Sequence, residues 1–122
     1  MTTGLHPDGR LPPGILPANF TISAEGKRGI EKIRAEYLST FPDDPPAVAC
    51  IAWGIVVPNE GPRFERVVVS YYQMSQSAQV AHGIQEVSGV PLIFFTTEDY
   101  YANFSGKVLD YQDDTGFFLR QP

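Results

Sequence analysis

The stretch Phe41-Pro-Asp-Asp-Pro-Pro-Ala-Val-Ala-Cys-Ile-Ala-Trp-Gly-Ile-Val-Val57 decides how the chain is read, because the period of the apolar residues changes across it. Upstream, Ala24, Ile30, Ile33, Tyr37 and Leu38 fall on one stripe at helical spacing, which predicts a helix over 24–39. Ser23 is placed to cap its first turn, its hydroxyl accepting from a free amide. Glu25 lies near the positive end of the helix dipole. Gly26 and Gly29 weaken the first turns, by about 1 kcal/mol each relative to alanine. The prolines of 42–46 then stop the helix, since each biases the residue before it away from helical geometry.

Downstream the pattern is that of strands. A continuous apolar run predicts a strand over 47–57, bent at Gly54, and Pro58-Asn-Glu-Gly-Pro62 predicts a turn. Val67, Val69 and Tyr71 alternate through a second strand over 64–72, and the pair reads as a hairpin. The polar stretch 73–82 has no assignment. Short strands follow at 83–87 and 90–95. Thr96 or Thr97 caps a helical turn through Phe104, and the last strands are 107–111 and 116–120. Gly106 is expected in a left-handed conformation, which commonly closes a helix. Leu109 and Tyr111 then share one strand face and Asp110 takes the other, with Lys107 or Arg120 as its donor if that face is covered. Together with the short β-prone segment 20–23, this predicts an α+β domain, mostly antiparallel, with its helix packed on a sheet.

At 122 residues the chain is expected to form one domain over 20–122, preceded by a Pro-rich arm over 1–19. The arm is read as a frayed terminus, or as a segment that packs Leu11, Ile15 and Leu16 onto the domain or onto a second subunit. Hydrophobic residues at 43% and charged residues at 19% exclude wholesale disorder. The net charge of −5 argues against nucleic acid and against docking on an anionic membrane, both of which reward a basic face. The N-terminus lacks the pattern of a signal peptide, and no apolar run approaches a membrane span. The expectation is a soluble, cytoplasmic protein. A single cysteine excludes an intramolecular disulfide and a one-chain zinc finger.

Chemistry-bearing motifs are few. The histidines are His6, in the arm, and His82, in the unassigned stretch; an enzyme would need a pocket uniting His82 with a carboxylate. The pairs Asp43/Asp44, Glu98/Asp99 and Asp113/Asp114 read as turn and helix-start residues. Cys50, in an apolar run without a basic neighbour, reads as a buried and inert thiol. The aromatic residues say more. Adjacent pairs at Tyr71-Tyr72, Tyr100-Tyr101 and Phe117-Phe118 place one ring of each strand pair away from the core unless both faces are covered. Trp53, Tyr72, Tyr100, Tyr101 and Phe118 are therefore the candidates for a contact surface, since Trp and Tyr are enriched among interface anchors.

Phe104-Ser-Gly-Lys-Val-Leu-Asp-Tyr111 followed by Thr115-Gly-Phe-Phe-Leu119 resembles the HesB-like, A-type iron–sulfur carrier family. Ile22-Ser-Ala24 and the helix after it are similar to the start of that family, and the order of elements matches over roughly 20–120. The resemblance implies a compact α+β fold of mixed, twisted sheets, often dimeric. It would also imply iron or iron–sulfur binding, but the family's Cys-Gly-Cys pair near the C-terminus is absent, and Cys50 lacks the Gly-rich loop of the family's first cysteine. A cluster needs several thiolates, and a dimer would supply two. The reading is thus a non-catalytic, acidic binding or adaptor protein with no cofactor, acting on a protein partner, with inhibitor- and immunity-type roles included. The alternative is a divergent iron or iron–sulfur carrier using Cys50 across a homodimer.

Overall fold

The computed structural model describes residues 15–122, so His6 and Leu11 lie outside the described residues. In chain order the elements are β1 (Thr21–Ile22), α1 (Ala24–Thr40), β2 (Pro46–Val56), β3 (Phe64–Gln73), α2 (Ser77–Val80), β4 (Ile84–Val87), β5 (Val90–Phe95), α3 (Glu98–Phe104), β6 (Val108–Gln112) and β7 (Gly116–Arg120). The polar stretch without a sequence assignment is a run of short helical turns, with α2 flanked by single 3₁₀ turns at Met74–Gln76 and Ala81–Gly83.

Two sheets form, one of order β1-β6-β7 and one of order β3-β2-β5-β4. The β2–β3, β4–β5 and β6–β7 pairs are antiparallel, while β1–β6 and β2–β5 are parallel. The expected α+β class is what the chain adopts. The resemblance implied mixed sheets, but not which strands run parallel: each parallel pair joins strands far apart in sequence, whose partner no local turn specifies.

The entry to α1 follows from its sequence. The Ser23 hydroxyl accepts from the Gly26 amide at 2.9 Å and donates to Asp110 Oδ1 at 2.8 Å. The helix cap is therefore also a tie to β6. The two glycines that weaken the first turns are needed for packing. A Cβ at Gly26 would collide with the Leu109 carbonyl oxygen, and one at Gly29 would lie 2.5 Å from the Tyr111 ring. The helix lies so close to β6 that only hydrogen fits.

Between α1 and the sheets sits the core. Ile22, Ile30, Ile51, Leu92, Phe94, Leu109 and Phe117 belong to it. An aromatic knot closes one side, with Phe94 against Phe20 at 5.0 Å and against Phe104 at 4.9 Å, both edge to face. Such pairs add about 0.5–1.5 kcal/mol beyond their burial. The parity of β6 is as expected: Leu109 and Tyr111 are buried, and Asp110 faces the other way. Arg120, one of its two anticipated donors, binds Asp110 Oδ2 through Nε at 2.7 Å. Gly106 has φ of 70°, the left-handed conformation.

Residues 15–19 lie against the domain. Gln85 accepts from the Ala18 amide and donates to the Leu16 carbonyl, and the Tyr101 hydroxyl donates to the Pro17 carbonyl at 2.7 Å.

Candidate binding surface

The two sheets meet along β3 and β7. There Arg66 reaches from β3 and donates through Nη2 to the Thr115 and Phe117 carbonyls of the β7 hairpin, at 3.3 and 3.2 Å. Beside this clamp lies an open groove of about 450 Å³. Its walls include Trp53, Glu65 and Arg66 from the hairpin, Asn103 from the end of α3, Lys107, and Phe118 from β7.

The groove is ordered by its aromatic rings. Trp53 stacks on Tyr100 with centroids 6.3 Å apart and meets Phe104 edge-on at 5.8 Å. Its indole Nε1 donates to Glu65 Oε1 at 3.1 Å, which fixes the ring's orientation across the β2–β3 ladder. Trp53, Tyr100 and Phe118 are all half-buried, so each keeps some surface for contact. Three of the five aromatic candidates therefore gather at one place. The other two do not. Tyr101 turns toward the core, its ring 6.1 Å from Phe94 and its hydroxyl bound to Pro17. Tyr72 lies on the far side of the four-stranded sheet, paired in register with Val48.

A second open groove, of about 560 Å³, lies where the C-terminal end of α1 meets β3. Tyr37, Phe41, Tyr71 and Tyr72 line it together with Glu36 and Gln73. Tyr37 stands 6.2 Å from Phe41 and 5.9 Å from Tyr71. Burial pushes the Tyr71 phenol up to about 12, the Glu31 charge adding to the shift and the Arg34 charge opposing it. Tyr37 and Phe41 were read as a helix stripe and a loop residue. Their i, i+4 spacing is the signal that would have marked them as neighbours.

Cys50 lies in β2 between Ser70 of β3 and Ile93 of β5, with 8% of its surface exposed. Burial pushes its thiol up, while hydrogen bonding to Tyr72 and Ser70 pulls the other way. That is the reverse of what a thiolate ligand needs. Among the described residues no group of three or more His, Cys, Asp or Glu could hold a metal ion. The donor set around Cys50 does not fit a cluster.

His82 borders a small cavity of about 190 Å³ with Ile15, Tyr72, Val80, Ile93 and Phe95, and no Asp or Glu is among its described walls. The acidic pairs are dispersed. Asp44 accepts from the Ser75 amide and hydroxyl, Glu98 and Asp99 occupy the first turn of α3, and Asp113 pairs with Arg28 at 3.1 Å. No helix is long and apolar enough to cross a membrane among the described residues. No protein-family model, curated protein or solved structure matches this chain.

Proposed function

We propose that this chain is a non-catalytic binding protein that works in the cytoplasm through protein–protein contact, on a degenerate HesB-like fold. The observation that carries the reading is the groove between the sheets, where Trp53 and Phe118 lie beside Lys107 and Glu65, with Tyr100 stacked on Trp53. Half-buried aromatic rings with charged groups at the margin are the composition of a contact hot spot. The acidic balance of the whole chain favours a basic partner, which its field would steer into encounter. The HesB-like element of the proposal rests on the Gly106–Tyr111 segment and the strand that follows it.

The test is affinity capture from native extract, with the wild type and the double variant Lys107→Glu, Phe118→Ser as paired baits. Matched thermal melts show that both are folded. The expected result is a discrete partner retained by the wild type and lost by the variant. Equal capture by both baits removes the groove as the contact surface.

A further inference from the structure

The groove at the end of α1 has a chemistry of its own. Its described walls carry four aromatic rings, and their one charged side chain is Glu36. The helix ends there without a basic residue in its last turn. No base within that turn therefore offsets the negative end of the helix dipole. One of the last carbonyls, that of Tyr37, is taken by the Phe41 amide at 2.8 Å, and the Thr40 hydroxyl returns to the Glu36 carbonyl. No hydrogen bond joins the Leu38, Ser39 and Thr40 carbonyls to another described residue. Phe41, one of the groove's walls, keeps 43% of its surface exposed.

Aromatic faces, a carboxylate and a helix C-terminus all favour positive charge. We infer that this groove takes an arginine side chain from a basic segment of a partner protein. The planar guanidinium can stack on a tyrosine or phenylalanine face and still direct its fork of donors at Glu36 and the helix-end carbonyls. Lysine offers a point charge without the planar stack. Charge complementarity supports the choice: the chain carries −5, Glu36 is the one charged residue on the groove's described walls, and the last turn of α1 beside it holds no base. The inference rests on the protein-binding reading and supplies that partner's chemistry, at a face distinct from the Trp53 groove.

Fluorescence anisotropy with a labelled octa-arginine peptide tests it, with octa-lysine and octa-glutamate as comparison probes. Glu36→Gln and Phe41→Ser are set against Glu60→Gln, which removes the same charge at the exposed β2–β3 turn. The expected result is tighter binding of octa-arginine than of octa-lysine, none of octa-glutamate, and a loss of about fivefold in each groove variant, the scale of one surface ion pair or cation–π contact. Glu60→Gln is expected to bind like the wild type. An equal loss in Glu60→Gln and Glu36→Gln shows a general charge effect and overturns the site. Displacement of the peptide by millimolar tetramethylammonium, at a strength that free arginine does not match, shows a small-cation cage instead and also overturns it. Loss of arginine binding as an expectation, with partner capture through Phe118 intact, removes this inference and leaves the proposed function standing.

Discussion

Leu109 of β6 has no exposed surface, and Tyr111 and Phe117 beside it are nearly as covered, their rings 4.8 Å apart beneath α1. At the far end of the β2–β3 hairpin, Ile55, Val57 and Phe64 are just as apolar and stay open, Val57 with 74% of its surface exposed. Both regions are strand pairs with regular registers. What separates them is the presence of a third partner. α1 lies directly on β6 because Gly26 and Gly29 let it, whereas the apolar side chains at the hairpin tip stay exposed. Hydrophobic side chains stabilise the fold where geometry lets another element cover them, and elsewhere they are surface available for contact.

Truncating one residue in each region is the strongest way to break this contrast. Leu109→Ala is expected to cost about 2–5 kcal/mol, while Ile55→Ala stays within about 0.5–1 kcal/mol. Urea melts of both variants measure the difference, and comparable losses would remove the distinction between seam and tip.

Gly26→Ala sharpens the explanation of the seam. Alanine is the better helix former by about 1 kcal/mol. Its Cβ would nevertheless meet the Leu109 carbonyl and the Ile22 side chain, and overpacking of this kind costs roughly 1–3 kcal/mol. A net loss of stability is expected. A variant more stable than the wild type would show that α1 can move off β6.

Asp110 tests whether the polar side of the same seam matters. Its carboxylate accepts from Ser23, the Tyr111 amide and Arg120, and the Arg120 hydrogen bond is the largest influence holding its pKa below the usual range. A carboxyl with a lowered folded pKa contributes stability that is present above its unfolded pKa and lost as pH falls through the folded value. Asp110→Asn is expected to cost on the order of 1–2 kcal/mol at neutral pH, and its stability to fall less steeply below about pH 4 than the wild type's. Parallel acid limbs for the two proteins would remove Asp110 from that role.

Tyr71 carries the contrast to high pH, because it binds α1 to β3 through the Ile30 carbonyl at 3.4 Å. Its pKa is raised to about 12, so the neutral phenol is favoured in the folded chain. That contribution is complete below the unfolded value near 10 and is lost as pH rises toward 12. Tyr71→Phe should flatten the alkaline limb of the stability curve, read by melting temperature against pH. The smallest effect belongs to the tip: Val57→Ser should leave stability within about 0.5 kcal/mol.

Much of the local architecture was legible. The proline cluster after Phe41 marks the break between helix and strand, Ser23 reads as a cap, and strand alternation places Leu109 and Tyr111 opposite Asp110. The candidate surface was legible only in part. Trp53, Tyr100 and Phe118 were identifiable as aromatic residues in structured segments, but their meeting depends on where α3 and β7 pack. Tyr101 looked equivalent to Tyr100. One position along a helix turns a ring by roughly 100°, enough to send one to Trp53 and the other to Phe94.

Outside the polar stretch 73–82, the sequence by itself determined the elements, their order and which side chains share a face, because helix and strand periods are properties of the backbone and the apolar pattern follows them. Tertiary structure alone decided that β1 pairs with β6 and β2 with β5, that Arg66 bridges the two sheets, and that grooves open beside that bridge and at the end of α1. Those outcomes depend on contacts between segments far apart in the chain, and close approach there is set by the combined shape of all the packed elements rather than by any local run of residues.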